Sequence, residues 1–343
     1  MEESTRPTRE QYERSQAMRL RVDALLLQSR RVPVRQVFSL ADEMKAASLP
    51  DRRLLEGVAS KLAALADTAE LAEALDAATS REPARFELAA LVLQEMALRD
   101  RIGPDSAEAR RLHKRLATAA HPLASLPFAA HGLEVPVELP HYRNGATMFF
   151  NDPIECEPRD PAAVAAASDI STREASGVVD PEAVAAAVRN WCDESNGVVE
   201  VKTFALSRPT DAAGLVASLD RLGLKCLEGA GGAKTAAVVV DAGMTLRALF
   251  RAASQGGAYN HGLCAAFGRL AAWRSLAAMA GEAPPGTWPA ASVDSIAAEA
   301  EQCAWVAFTA ESAWFNNIAW DLGLLALRKD RTTVVALAAT DQD

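Results

Sequence analysis

At 343 residues, with 36 basic against 45 acidic side chains, the chain carries a formal net charge of −9, a pI near 5.2 and a mean hydropathy of −0.01. That balance argues against a nucleic-acid partner held through its phosphates, and the length favours two domains, or one domain with a helical extension. Apolar residues make up 50% of the sequence, yet charges such as Arg269 and Arg274 break every apolar run before the roughly 20 residues that a membrane-spanning helix needs, so no membrane is expected.

From Gln11 to about Ala120, alanine, leucine, arginine and glutamate recur with helical spacing and no strand-like run intervenes. The spacing predicts helices over Glu10–Gln28, Val34–Ala47, Asp51–Leu65, Thr68–Ala78, Pro83–Arg99 and Ser106–Ala119, with Pro33, Pro50, Pro83 and Pro104 at their boundaries. Residues 1–120 hold 20 basic and 19 acidic side chains, so the negative excess arises downstream. Prolines spread through residues 126–180 predict an irregular connector, with short helices over Pro161–Ala167 and over Pro181–Trp191, the second capped by Asp180.

Beyond Gly197 the elements alternate. Val198–Leu206, Lys225–Leu227 and Ala236–Val240 read as strands, and Thr210–Leu222, Met244–Ala253, Leu263–Ala280 and Ser292–Gln302 as helices. The chain then reads as strands from Trp305, from Gly323 and from Thr332, the last two around a Lys329-Asp330-Arg331 turn. The fold class expected is α+β: an all-helical N-terminal layer (1–125), the connector (126–180) and a domain (181–343) with a mixed β-sheet and packed helices.

Few motifs carry chemistry. Gly229-Ala230-Gly231-Gly232-Ala233-Lys234-Thr235 imitates a phosphate loop, but Ala233 and Glu228 stand where glycines are required, and a strand rather than a helix follows. It reads as a turn between strands, with Asp241 at the end of the apolar run after it. His113, His121, His131 and His141, with Glu134 and Glu138 among them, have spacings that fit no metal site. The five cysteines lie thirty or more residues apart and read as reduced, packed thiols. With the acidic start Met1-Glu2-Glu3-Ser4, unlike a signal peptide, they favour a cytoplasmic location. No metal and no cofactor is implied.

Two stretches hold the candidate ligand-binding residues. Glycines at Ser254–Gly262 free backbone N–H groups before a long helix, where an anion binds well, and Tyr259, Asn260 and His261 add polar side chains. Arg269 and Trp273, four apart, share a face of that helix, whereas Arg274 points elsewhere. The second stretch is aromatic, with Trp314, Phe315, Trp320 and Asp321.

Gly256-Gly257-Ala258-Tyr259 running into Gly268-Arg269-Leu270-Ala271-Ala272-Trp273-Arg274, and Trp314-Phe315 through Trp320-Asp321-Leu322-Gly323 to Thr340-Asp341, resemble a family of uncharacterised bacterial proteins over roughly the last ninety residues. That resemblance implies no catalytic residue. Two functions are weighed: a non-catalytic binding or regulatory protein with a protein partner or a second copy of itself, and a small-molecule enzyme whose pocket gathers the 254–262 loop, the 263–280 helix and the aromatic segment around a small anionic ligand. Convergence of Tyr259, His261, Arg269 and Asp321 in one cleft separates them.

Overall fold

The computed structural model describes residues 9–28, 34–46, 52–77, 83–103, 105–135, 139, 154–230, 234–260, 262–285, 291–315 and 320–342. The chain divides into two compact units, Met1–Ala130 with Val137–Phe149, and His131–Pro136 with Phe150–Asp343. No helix among the described residues is long and apolar enough to cross a membrane.

The first unit holds α1 (Arg9–Gln28), α2 (Val34–Ala46), α3 (Arg52–Leu65), α4 (Thr68–Ala77), α5 (Pro83–Leu98) and α6 (Ala107–Thr118), within a residue or two of the sequence spacing. α5 is the centre, because every residue from Leu88 to Leu98 is buried and it packs against α2, α3, α4 and α6. A helix apolar nearly all round has to be enclosed in this way. Asp67 and Glu70 cap α4 reciprocally: each side chain accepts the other's backbone N–H at 2.8 Å. At the far end of α3, Arg101 donates to the carbonyls of Ala63, Ala64 and Ala66.

The second unit holds one seven-stranded sheet. In chain order its elements are β1 (Glu157–Pro158), α7 (Pro161–Ala166), β2 (Thr172–Glu174), α8 (Pro181–Val184), α9 (Arg189–Glu194), β3 (Val198–Leu206), α10 (Ala212–Ser218), β4 (Thr235–Val240), α11 (Ala242–Gln255), α12 (Cys264–Ala280), α13 (Val293–Gln302), β5 (Ala304–Ala310), β6 (Asp321–Leu327) and β7 (Thr333–Thr340). The strand order is β1-β4-β5-β6-β7-β3-β2, and all six pairings are antiparallel rather than mixed. Antiparallel pairing follows from the short β6–β7 hairpin and from strands that otherwise return across the sheet.

Both edge strands come from the stretch read as a connector. They are two and three residues long, and Pro158 has no N–H to offer a further strand. Lys225–Leu227, expected as a strand, is a 3-10 turn. The Glu200 carboxylate accepts the N–H groups of Lys225 and Cys226 at 2.9 and 3.0 Å, which removes them from any ladder. Asp241 caps α11 by accepting the Met244 N–H at 2.6 Å. In the phosphate-loop look-alike, residues 231–233 lie outside the described residues.

Side chains alternate across the sheet. Ala237, Val306, Phe308, Leu325, Leu327, Val334, Ala336 and Ala338 join a core with residues of α10 and the turns around it. Their neighbours Leu324, Ala326, Val335 and Leu337 are equally buried, on the opposite face, where α11 and α12 meet the central strands. Burial on both faces explains why β6 and β7 read as continuous apolar runs. Arg328, beyond β6, ties the sheet to a helix end: it donates to the Met279 and Ala278 carbonyls at 3.1 and 2.9 Å, in the last turn of α12.

Gly323 in β6 lets the Phe308 ring and backbone of β5 close over it; a β-carbon there would stand 2.3 Å from the Phe308 carbonyl oxygen and 3.0 Å from its ring. Gly323→Ala is therefore expected to destabilise the protein by about 2–4 kcal/mol through overpacking at a site without free space. A urea midpoint within error of wild type would show that β5 and β6 do not approach this closely.

Candidate functional site

The Ser254–Gly262 break starts where α11 ends, with Gly256 at φ 82°. Its amides meet protein acceptors one after another. The Asn260 side-chain oxygen accepts the N–H groups of Gly257 at 3.0 Å and Gly262 at 2.9 Å, and its amide nitrogen donates to the Asn190 carbonyl at 2.7 Å. The Asp341 carboxylate accepts the Ala258 N–H at 2.6 Å. The Ser195 hydroxyl, just beyond α9, accepts that of Tyr259 at 3.1 Å. Gly257 is required here, since a β-carbon would stand 1.8 Å from Asp341 Oδ2. Of the N–H groups that the sequence offers to an anion, those of Gly257, Ala258, Tyr259 and Gly262 are thus engaged by Asn260, Asp341 and Ser195. What the loop holds outward is the Tyr259 side chain, in a residue 60% exposed. His261 lies outside the described residues.

Arg269 and Trp273 do share a face of α12, and both are fully buried. They meet on the carboxylate of Glu134. Arg269 Nε and Nη2 donate to its two oxygens at 2.6 and 2.8 Å, Trp273 Nε1 donates to Oε1 at 2.9 Å, and the His131 backbone N–H donates to Oε2 at 2.6 Å. Glu134 and His131 close a 3-10 turn reciprocally, because the His131 ring accepts the Leu133 N–H at 3.1 Å. Burial pulls the Glu134 carboxyl upward, but the Arg269 guanidinium and the surrounding donors outweigh it and hold the group below its ordinary value. Arg274 leaves this face and donates to the Pro285 carbonyl at 2.8 Å.

The aromatic segment divides between the two faces of the sheet. Asp321 pairs with Thr340 in the β6–β7 register, two residues from Gly323 and Ala338, and so falls on the α10 face. Trp314 packs onto the core of that same face, where Phe315 meets Phe308 edge to face at 6.0 Å and Gln342 donates to the Trp314 carbonyl at 3.4 Å. Trp320 stands opposite Asp341, whose N–H donates to the Trp320 carbonyl at 2.9 Å. By alternation both belong to the other face, with the 256–260 loop. Tyr259, Arg269 and Asp321 therefore do not share one cleft.

Among the described residues no group of three or more His, Cys, Asp or Glu side chains is arranged to hold a metal ion. Burial pushes the thiols of Cys156 and Cys303 up to about 11 and that of Cys226 higher still, with Glu200 adding to the last, which keeps these three protonated and poorly nucleophilic at neutral pH. Sequence reasoning passed over Asn190 and Ser195, and weighed Glu134 only as a metal ligand beside the histidines. Only Glu134 left a signal, three residues after His131 at the spacing of a capping box.

The chain belongs to a family of unknown function, DUF6183, whose model matches residues 1–343. The likeness therefore extends over the whole sequence and not only over the last ninety residues. No curated protein and no solved structure matches the chain.

The depressed Glu134 carboxyl predicts the sign of a pH effect. Its contribution to stability is fully present above the ordinary carboxyl value of 4.5 and is lost as pH falls through the lower folded value. Glu134→Gln should cost about 3–5 kcal/mol at neutral pH, because Arg269 is left buried without its counter-charge. The deficit relative to wild type should shrink as the solution is acidified below that value. Thermal melts of both proteins as a function of pH test this, and a deficit independent of pH would mean that Glu134 is not ionised in the fold.

Proposed function

We propose that this chain is a non-catalytic binding or regulatory protein that acts in the cytoplasm and recognises a protein partner, or a second copy of itself, through the surface around Tyr259. The observation that carries this reading is the Tyr259 loop. An exposed aromatic ring stands on a backbone whose three successive N–H groups, from Gly257 to Tyr259, are each held by a separate side chain. Rigid, amphipathic aromatic side chains lose little entropy on association and dominate recognition surfaces. The five cysteines are thiols and not disulfides, in keeping with a reducing compartment.

The enzyme alternative draws less support. Its pocket requires Arg269 and Asp321 beside the 256–260 loop, yet Arg269 is committed to Glu134 and Asp321 lies on the opposite face of the sheet from Asp341 and that loop.

Tyr259→Ala tests the reading, since an exposed side chain can be removed without unfolding the protein. Immobilised wild-type chain should retain a specific protein partner, or light scattering should report a mass above one subunit. The variant should weaken that association by about tenfold or more while its Tm stays within about 1 °C. A wild-type chain that retains nothing and scatters as a single subunit would sink the proposal.

A further inference from the structure

Three donors on α12 converge on one carboxylate: the Nε and Nη2 groups of Arg269 and the indole N–H of Trp273, at 2.6, 2.8 and 2.9 Å from the oxygens of Glu134. Arg269 is 1% exposed and Trp273 0%. A guanidinium fork with a third donor in a dry site is the arrangement that reads a carboxylate most strongly, because each bond is charge-assisted and the fork fixes the plane of the group.

The carboxylate itself arrives on a turn that packs on α11, where Arg247 donates to the Val135 carbonyl at 3.3 Å and the His131 ring stands edge-on to Trp273 at 5.6 Å, while its other side chains stay partly exposed. Gly132 and Val135 are exposed, and His131 and Leu133 are only half-buried. Glu134 is the one side chain from His131 to Val135 that is buried, and its carboxylate is held by the α12 donors and by the His131 N–H. The two residues that carry these donors, Arg269 and Trp273, sit one helical turn apart on a helix buried along most of its length.

We propose that Arg269 and Trp273 form a binding site for a short aliphatic monocarboxylate, that Glu134 is its tethered occupant, and that a free acid enters whenever Glu134 is withdrawn. The size of the acid follows from the occupant. Beyond its α-carbon a glutamate side chain is a propionate, and beyond its β-carbon an acetate. The inference does not rest on the Tyr259 reading and stands or falls separately from it.

The experiment is rescue of the full-length chain by added acid. In Glu134→Ala, about 50 mM acetate should raise Tm by about 3 °C or more, through binding to the native state alone. In Glu134→Gly, propionate should act more strongly than acetate. Sodium chloride at equal ionic strength should do neither, and the double variant Glu134→Ala/Arg269→Met should lose the response. Equal effects of chloride and acetate, or a response that survives loss of Arg269, would overturn the proposal. Should Glu134→Ala fail to fold in plain buffer, refolding yield replaces Tm: recovery several-fold higher in acetate than in chloride supports the site, and equal failure in both rejects it.

Discussion

The second unit depends on one strand pair with no wet side. β6 and β7 lie at the centre of the sheet and are buried on both faces from Gly323 to Leu327 and from Val334 to Thr340. Apolar contact on both faces supplies the drive to fold, and it leaves polar groups only at the ends of the pair. There the strict two-residue period takes over. Trp320 and Asp341 go to one face and Asp321 and Thr340 to the other, although Trp320 adjoins Asp321 and Thr340 adjoins Asp341 in sequence. A cluster that looks continuous along the chain is thereby cut in two by the sheet.

Two buried carboxylates show how differently the units handle charge. In the first unit, burial dominates at Glu95: Arg99 at 3.3 Å and the Ser60 hydroxyl offset it only in part, and the carboxyl is held above its ordinary value. Ionisation of Glu95 therefore costs stability as pH rises. In the second unit Glu134 has a guanidinium fork, an indole and a backbone N–H around it, and the balance reverses. Both residues are at least nine-tenths buried, so the number and geometry of donors, not depth, decides which way each carboxyl moves.

Much of the fold was legible in the sequence because period carries it. The six N-terminal helices, β3, β4 and the β6–β7 hairpin follow from spacing and from the Lys329-Asp330-Arg331 turn. The edge strands were not legible: two residues with a proline hold no period, and only their partners Ala236–Ala237 and Phe204–Leu206 define them. Lys225–Leu227 misled because a three-residue apolar run is ambiguous until the capping Glu200 is known. At the candidate site, helical spacing put Arg269 and Trp273 on one face correctly. Their common partner lies 135 residues from Arg269, and no local pattern reports a contact of that range. Asn260 and Asp341 were visible as polar residues, but that each would hold the loop's own backbone required the tertiary structure.

That long separation also bears on the order in which the protein is made. The helices of the first unit contact one another over short sequence distances, so they can assemble soon after they leave the ribosome. The second unit has that option only in part, as in α11 with α12 and in the β6–β7 hairpin. Glu134 meets its counter-charge only after Arg269 has been synthesised, and β3 gains its inner neighbour only when the chain reaches Thr340, which pairs with Val198. During synthesis the Glu134 carboxylate and the nine-residue β3, with Phe204 and Leu206 on its core face, therefore wait together in water. It is in this interval, rather than in the finished fold, that the protein is most exposed to aggregation.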